Sequence, residues 1–506
     1  MKMIYNVEDK PAFSKLLVYA FQQVLAIMAA TIAVPTIIGL PAQIPAAILG
    51  AGIGTIVYLL FTRFKSPVCI SSSFAFLSSL GAALAFGYLG IIVGGILAGL
   101  VYVVIAVVIH FAGTKWVSKL MPPVIIGPTV ALIGLSLAGA AMGDIVKASA
   151  SQINGSYNLV ALLCGLITFV TIVICSIQKK HKGLRLIPFI IGIGVGYVCA
   201  LIFTVIGKLA NADYLMILNW GAIIDNFSPV TITSFFDYPR FALVEGVKEI
   251  VNGNVLLTAA GFGEIALAFI PVALVVFAEH IADHKNLGSI IDRDLVEGEP
   301  GLERTLLGDG VGSIAGTVLG ICPNTTYGES VGCVAITRNA SVRTIFVAAC
   351  MCIVLSFFKP VMVVLQSIPN CVMGGVCLTL YGFIAVSGLK MFKDIDLGQN
   401  KNLFTVSAIL IAGIGGLSIQ IPYAIQKETT TQYAIEMVND VPTIVETIAT
   451  PAGAVTKVIT VTSIATALIL GICTYAICNY IEKKQADIPE DDENGDGYSD
   501  AQQIIK

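Results

Sequence analysis

The chain has 506 residues, of which 56% are hydrophobic and only 12% are charged, and its mean hydropathy is +0.89. Soluble domains carry about twice this fraction of charged residues, so the composition excludes a soluble globular protein. The net charge of −3 is close to neutral and gives no sign of a nucleic-acid partner.

Apolar runs long enough to cross a bilayer recur along almost the whole chain. The polar N-terminus lacks the features of a signal peptide, so the first apolar run is expected to remain as a membrane helix. We therefore predict an all-α polytopic membrane protein. Its spans, about fourteen in number, are predicted at residues 16–38, 44–62, 67–85, 88–111, 122–142, 157–177, 186–207, 255–282, 303–320, 322–337, 342–358, 361–388, 402–418 and 457–481.

Lysine and arginine residues support this number of spans and indicate their orientation. With the N-terminus in the cytoplasm, 22 of the 29 Lys and Arg residues fall in segments that face inward, and 7 fall in segments that face outward. Short cytoplasmic loops carry such an excess of basic residues. We therefore predict that both termini are cytoplasmic and that the protein resides in the cell membrane.

Two of the predicted spans are poor helices, because residues 67–76 and 323–330 begin with proline and continue through hydroxyl side chains. Extended backbone at membrane depth is tolerated where it is buried in protein or lines a cavity, and paired interruptions point to a transporter's binding site. Glycines in the spans 122–142 and 361–388 recur at an offset of 248 or 249 residues, seven spans apart. Because seven is odd, the two halves are predicted to be inverted repeats.

Three stretches look polar, and two of them, 208–254 and 419–455, are predicted to be connections outside the membrane. The acidic tail 482–506 is predicted to be solvated. Within it, Asp492–Gln503 has oxygen ligands at calcium-loop spacing but lacks the final glutamate, so weak calcium binding is the alternative. The twelve cysteines lie mostly in apolar runs without zinc-ligand spacing, so we predict no metal site.

Ionisable side chains inside membrane spans are costly and are therefore candidates for function. Here they are Glu279, Asp283, Asp309 and Glu329, with His280 beside the first of them. Glu279 and Asp283 are four residues apart and share one helix face. No buried lysine or arginine is expected beside these acids, so burial and mutual repulsion favour their neutral forms, which suits proton coupling.

Each of these residues also has a structural interpretation. Asp283 could mark the cytoplasmic end of a helix, and Asp309 could cap broken helical backbone. His280 is expected to be packed or interfacial rather than a ligand. His110 and His181 are expected to be solvated.

Four motifs resemble those of one family, the nucleobase–ascorbate transporters, and within it the bacterial uracil permeases. The resemblance covers about residues 8 to 481. The motifs are Ala278–Ile281, Asn324–Glu329 followed by Gly332 and Thr337-Arg338, Ser72–Phe76, and Leu378–Gly382.

The resemblance implies fourteen spans in two inverted seven-span repeats, with short antiparallel strands in spans 3 and 10. It also implies a core domain that moves against a gate domain in an elevator mechanism, and a homodimer surrounded by lipid. The ranges are 1–120 and 255–360 for the core, 121–210 and 361–481 for the gate, 211–254 for an outer loop and 482–506 for the tail.

By the same resemblance, Glu279 and Glu329 accept hydrogen bonds from the N–H groups of a pyrimidine. Backbone amides near Phe74 and Gly328 donate to its carbonyl groups. The side chains near the site are those of Ser73, Tyr327 and Tyr381. Proton coupling involves Glu279, Asp283 and Asp309, with the proton as coupling ion and no other cofactor.

The sequence departs from the family pattern at several positions. Gln23 stands where many members have histidine and cannot titrate, Ser330 replaces a common asparagine, and Ser71 replaces a common glycine.

Other positions divide between the branches of the family. Asp283 and Asp309 look like the purine branch, since some uracil permeases have histidine at 283. Glu329 looks like the uracil branch, because purine carriers usually have glutamine there.

The predicted function is therefore proton-coupled uracil symport. The first alternative is a xanthine or urate permease of the same family, and a further one is an anion exchanger or channel on the same fold. The sequence has no nucleophile motif, metal cluster or phosphate loop, so an enzyme is not expected.

Overall fold

The computed structural model describes residues 3–148, 157–178, 184, 187–253, 257–427, 430–438, 441–450 and 453–486. The architecture is mostly helical. The helices are α1 Phe13–Ile37, α2 Ile44–Phe61, α3 Leu77–Leu84, α4 Gly87–Ala112, α5 Lys115–Leu120, α6 Pro123–Ser136, α7 Ala138–Ile145, α8 Leu159–Ile177, α9 Pro188–Ala210, α10 Gly221–Asn226, α11 Ala242–Val251, α12 Ala259–Ile291, α13 Leu302–Leu319, α14 Gly328–Thr337, α15 Val342–Ser356, α16 Lys359–Gln366, α17 Asn370–Lys390, α18 Asn400–Ile414 and α19 Ser463–Ala486.

Within the described ranges, nine helical stretches are long and apolar enough to cross a membrane. They are Phe13–Ile37, Pro41–Phe61, Gly87–Ala112, Pro123–Ile145, Leu159–Ile177, Pro188–Ala210, Ala259–Ile291, Asn370–Lys393 and Ser463–Lys484. Shorter apolar helices lie at Phe74–Leu84, Val342–Ser356 and Asn400–Ile414. The prediction of a helical, multi-pass membrane protein is confirmed at this level.

Small residues allow α13 to pack closely against two neighbouring helices. A methyl group at Gly50 of α2 would lie 2.5 Å from the carbonyl oxygen of Gly316, and one at Gly99 of α4 would lie 2.5 Å from that of Gly310. Membrane helices associate through such close backbone contacts because lipid supplies no hydrophobic driving force between them. Helix α13 is therefore in close backbone contact with both α2 and α4.

The two interrupted segments form short strands, β1 (Ile70–Ser72) and β2 (Asn324–Thr326), which pair antiparallel with Ser71 opposite Thr325. This pairing confirms the predicted strands. Each strand is buried and leads directly into a short helix, at Phe74–Leu84 and at α14. The backbone groups of extended chain need partners away from water, and the partner strand supplies them.

Several helix bounds differ from the prediction. The span predicted at 255–282 is the helix α12, which continues to Ile291. The spans predicted at 122–142 and 361–388 are each divided into two helices. In the second case Pro369 stands directly before α17, and proline does not continue a preceding helix.

The stretch 419–455, predicted to be a connection outside the membrane, contains β-strands, which the sequence analysis did not predict. They are β3 (Ile419–Lys427), β4 (Thr430–Val438), β5 (Val441–Thr450) and β6 (Gly453–Val461), with β3 paired to β6 and β4 to β5, both antiparallel. These residues are rich in Thr, Ile and Val, which favour extended backbone. The last predicted span, 457–481, accordingly begins later, at Ser463.

The other predicted outer stretch, 208–254, contains the short helices α10 and α11. The carboxylate of Glu249 on α11 accepts hydrogen bonds from the backbone amides of Tyr88 and Leu89, at 2.9 and 3.2 Å, and so holds α11 against the start of α4. The acidic tail beyond residue 486, including the calcium-loop pattern Asp492–Gln503, lies outside the described residues, as does His181.

Candidate functional site

A cavity of about 570 Å³ lies at the ends of β1 and β2, beside α12. Six of the seven residues predicted to bind substrate line it: Ser73, Phe74, Glu279, Tyr327, Gly328 and Glu329. The structure thus brings together residues that are far apart in the sequence. Their roles in binding remain predictions.

Hydrogen bonds from neighbouring helices hold the two strands in place. The hydroxyl group of Thr55 on α2 donates to the carbonyl of Ile70 and accepts from its amide, both at 3.0 Å. Asn324 at the start of β2 donates to the carbonyl of Gly50, at 2.8 Å. The hydroxyl of Tyr327 donates to the carbonyl of Ser72 across the strand pair. The strand ends that face the cavity are therefore rigidly positioned.

The three residues that depart from the family pattern, Gln23, Ser71 and Ser330, also help to hold the strands in place. Ser71 and Thr31 of α1 have their hydroxyl oxygens 2.6 Å apart. Ser330 accepts from the amide of Cys69 and donates to the Gln23 side chain, each at 3.0 Å. Gln23 is thus bound to α14 and connects α1 to the second strand–helix unit.

Two helix N-termini meet at the cavity. Ser73 precedes the helical segment that begins at Phe74, and Tyr327 precedes α14, and neither end has a side-chain cap. The first amides of a helix have no acceptor within the helix, and the helix dipole is positive at this end. Among the described residues, the buried hydroxyl oxygen of Ser73 has no hydrogen-bond partner either. These groups can bind the carbonyl oxygens of a ligand.

The acids of α12 face the same cavity. Glu279 and Asp283 are one helical turn apart, and both line it together with Asn286. Asp283 accepts a hydrogen bond of 3.1 Å from the hydroxyl of Thr326, and a methyl group at Gly328 would lie 3.7 Å from its Oδ1. Because α12 continues to Ile291, Asp283 does not mark the end of the helix.

Asp309, the fourth candidate acid, does not line this cavity. It is in the middle of α13 and fully buried. Its Oδ2 is 2.7 Å from Nδ1 of His280, whose Nε2 is 3.1 Å from the hydroxyl of Thr305. The expectation that Asp309 caps broken helical backbone stays a prediction: α13 is continuous at this residue, and its carboxyl also interacts with Thr325 and with the backbone of Thr326 in β2. His280 is packed, as expected, and bonded to this acid.

Sequence analysis missed His284, which is buried one turn after His280 with the two rings 4.1 Å apart. Its Nδ1 donates to the carbonyl of His280 at 2.8 Å, and its Nε2 is 2.7 Å from the hydroxyl of Tyr58. Tyr58 in turn bonds Ser66 at 2.7 Å. The spacing of four residues from His280 was the available signal. By contrast, His110 is exposed, as expected, and bonds Glu303.

The wall opposite α12 comes from helices predicted to belong to the gate. Val130 of α6 and Phe383 of α17 line the cavity. Tyr381 does not line it, but its buried ring packs at right angles against that of Phe74, with centroids 5.2 Å apart. Lys390, at the exposed end of α17, also lines the cavity, and the sequence did not indicate this.

The arrangement combines acceptors, donors and a flat aromatic surface. Carboxylates only accept hydrogen bonds, whereas the amides of the two helix ends only donate. A small planar solute that alternates N–H and C=O groups can satisfy both sets, and a group left unpaired would cost about 1–3 kcal/mol. The cavity is therefore chemically suited to a nucleobase.

Comparisons with known proteins agree with this chemistry. Residues 14–421 match the Permease family. The chain is 37% identical to the uracil permease of Bacillus caldolyticus over 84% of this chain and 91% of that one. It is 36% identical to the uracil permease of Bacillus subtilis (strain 168), over 83% and 90%, and 31% identical to that of Escherichia coli (strain K12), over 82% and 88%.

Solved structures of other transporters share the fold. The transmembrane domain of the cyanobacterial bicarbonate transporter BicA aligns with a TM-score of 0.52 at 15% identity, over 81% of this chain and 98% of that chain. The murine Solute Carrier 26 family member A9 anion transporter aligns with a TM-score of 0.56 at 10% identity, over 94% and 69%. The family match and the identities to curated permeases together show that this chain, a transporter and not an enzyme, belongs to the Permease family, the nucleobase:cation symporter-2 transporters.

Proposed function

We propose that this protein imports uracil together with protons. The observation that carries the proposal is the cavity in which Glu279 and Glu329 meet the N-termini of two helices. The two carboxylates accept from the uracil N–H groups, and the amides near Phe74 and Gly328 donate to its carbonyls. The similarity to three uracil permeases supports this choice of substrate.

Proton coupling rests on the acids of the cavity. Among the described residues, no salt bridge joins Glu279, Asp283 or Glu329 to a basic side chain. An unpaired carboxylate within a membrane is costly, so these groups favour protonation when no substrate or water stabilises their charge. We propose that Glu279 and Asp283 exchange the coupling proton, and that Asp309 contributes through His280.

Inverted repeats and two moving domains complete the proposal. The nine long and three short apolar helices, with α13 and the β2–α14 unit, add up to the fourteen proposed spans. The antiparallel pairing of the two strand–helix units supports the inversion. We propose that 1–120 with 255–360 is the core, that 121–210 with 361–481 is the gate, and that the two move relative to each other in a homodimer in the cell membrane.

The cavity is proposed to open to the cytoplasm. Ser176, Pro188, Asn286 and Lys390 line it, and each lies next to a segment predicted to face inward. Cytoplasmic termini follow from the same orientation. A reporter enzyme fused after Lys506 should be active only in the cytoplasm, and activity on the outer side would refute this topology.

Two alternatives are less well supported. A purine carrier is favoured by Asp283 and Asp309, which look like the purine branch. It is disfavoured by Glu329, because an ionised carboxylate only accepts hydrogen bonds, whereas the glutamine usual in purine carriers also donates them. Anion exchange is disfavoured because three carboxyl groups line the cavity.

Uptake into proteoliposomes tests the proposal. An imposed gradient, acidic outside, should drive accumulation of radiolabelled uracil, and a protonophore should abolish it. Xanthine and urate should not accumulate. Accumulation of xanthine but not of uracil would show that the substrate is a purine. Uracil uptake that does not depend on the pH gradient would refute proton coupling.

A further inference from the structure

A second cavity, of about 400 Å³, lies away from the substrate site, where α2 ends and α15 begins. Both helices are apolar, and one is a candidate membrane span, so their ends mark a membrane boundary. Three basic residues, Arg63, Lys65 and Arg343, line this cavity. We refer to it as the basic cavity.

The acids near the basic cavity already have partners. Glu8 accepts two hydrogen bonds from the guanidinium group of Arg293, both 2.7 Å long. This pairing lowers the pKa of the Glu8 carboxyl, so the group is ionised and its charge is balanced by Arg293. Lys65 forms a salt bridge with Glu299. Each carboxylate therefore neutralises one basic group.

Arg63 and Arg343 remain as excess charge. Both side chains are exposed, and neither forms a salt bridge within the part of the chain that the structure describes. The three basic residues and the Glu8 carboxylate of the lining give the basic cavity a net charge of +2, and the neighbouring Arg293 and Glu299 cancel each other. Such a concentration of positive charge at a membrane boundary attracts an anion.

The backbone directs two of the lining side chains. Arg63 and Phe64 both have left-handed conformations, with φ of 51° and 57°, and the amide of Phe64 donates to the carbonyl of Leu59 at 2.8 Å. This turn ends α2, at a place where glycine or asparagine is the usual choice. The sequence instead has two large side chains, and both line the basic cavity.

The remaining wall is apolar. The rings of Phe64 and Phe346 pack edge to face with centroids 6.1 Å apart, and they are 37% and 38% exposed. Phe346 lies one turn inside α15, next to Val342. Exposed phenyl rings beside basic side chains suit contact with the boundary between lipid headgroups and acyl chains.

We propose that the basic cavity binds an anionic phospholipid, with the phosphate between Arg63 and Arg343 and the adjoining acyl chain against Phe64 and Phe346. Guanidinium groups match phosphate oxygens in a two-pronged geometry. The apolar wall favours a lipid over a soluble phosphate, because a free anion gains nothing from the phenyl rings. The site does not depend on the identity of the transported substrate.

Native mass spectrometry of the purified full chain with phosphatidylglycerol tests the proposal. The double variant Arg63→Gln, Arg343→Gln should bind this lipid roughly thirty-fold more weakly than wild type, since each basic group contributes about 1 kcal/mol. Lys483→Gln, Lys484→Gln is the matched control: it removes two exposed charges at the end of α19 and should bind within about threefold of wild type. Size-exclusion profiles and uracil binding report whether each variant is folded.

Competition identifies the source of the phosphate. Glycerol 3-phosphate and inorganic phosphate, at millimolar concentration, should not displace the lipid. Displacement by either would make the site one for a soluble anion and overturn the proposal. Equal lipid binding by both double variants would also overturn it. If the double variant does not fold, Arg343→Gln alone should weaken lipid binding about fivefold, and an unchanged affinity would count against the site.

Discussion

Buried acids occur in two settings in this protein, only one of which faces a cavity. Glu279, Asp283 and Glu329 line the space beside the strand ends. Asp309 is one helix away, with an oxygen 2.7 Å from Nδ1 of His280 and no contact with that space. Glu279, Asp309 and Glu329 belong to predicted spans, Asp283 lies one residue beyond the end of one, and the prediction treated all four as a single class.

The difference shows that an ionisable residue in a membrane span can either interact with a ligand in a cavity or stabilise the protein through contacts with other residues. An acid at a cavity keeps part of its hydrogen-bonding capacity for solute or water. Asp309 has a protein partner, and His280 in turn contacts Thr305. Removing an acid from the first setting should therefore affect binding and transport, whereas removing Asp309 should affect stability and proton coupling and leave substrate binding nearly unchanged.

The largest effect is expected for Glu279→Gln, which should abolish proton-driven uracil uptake while the protein still folds and inserts. Glutamine keeps the shape of the side chain but presents a donor where an acceptor is needed, and it cannot exchange a proton. Uptake in proteoliposomes and a size-exclusion profile measure the two properties. Accumulation at the wild-type level would remove Glu279 from the site.

Glu329→Gln should weaken uracil binding about tenfold or more, because a hydrogen bond to a charged group contributes about 1.5–3 kcal/mol. Binding of uracil and xanthine to purified wild type and variant measures the change. An increase in xanthine binding by the variant would sharpen the distinction between pyrimidine and purine carriers. Wild-type protein that binds xanthine and ignores uracil would contradict the assignment of substrate.

Asp309→Ala should lower stability by about 1–3 kcal/mol, since it leaves the buried His280 ring without its acceptor. Uracil affinity should stay within about threefold of wild type. Thermal unfolding in detergent and equilibrium binding are the measurements, with Asp309→Asn as the control that retains an acceptor for His280. A strong loss of affinity at unchanged stability would move Asp309 into the binding site.

The smallest effect is expected for Asp283→Asn. The amide oxygen can still accept from Thr326, so the local structure should persist. Loss of the titratable group should reduce pH-driven accumulation several-fold and change equilibrium binding less. If both fall equally, Asp283 contacts the substrate directly.

Local signals were sufficient to predict much of the fold. Pro67 and Pro323, each followed by hydroxyl residues, indicated two interrupted spans, and the family resemblance implied strands there; the pairing of Ser71 with Thr325 confirms the strands. Helix ends were harder to predict: the polar run from His284 to Ser289 lies within α12, because tertiary contacts bury part of it. The strands β3 to β6 were missed because a polar stretch between spans was taken for a connection.

Within the site, the sequence indicated which residues matter but not which of them meet. The prediction grouped Asp309 with Glu279, because a position along a helix does not specify which neighbouring helix a side chain faces. His284 and its bond to Tyr58 join residues 226 positions apart, a contact that only the packed structure reveals. Lys390 reaches the cavity for the same reason, from a helix end that looked like an ordinary loop boundary.

Equilibrium binding of radiolabelled uracil to purified wild type, Glu279→Gln and Asp309→Asn, measured side by side, tests most directly whether the cavity acids alone contact the substrate. We expect wild type and Asp309→Asn to bind with similar affinity, and Glu279→Gln to bind at least tenfold more weakly. Retained binding by Glu279→Gln together with lost binding by a folded Asp309→Asn would contradict the account.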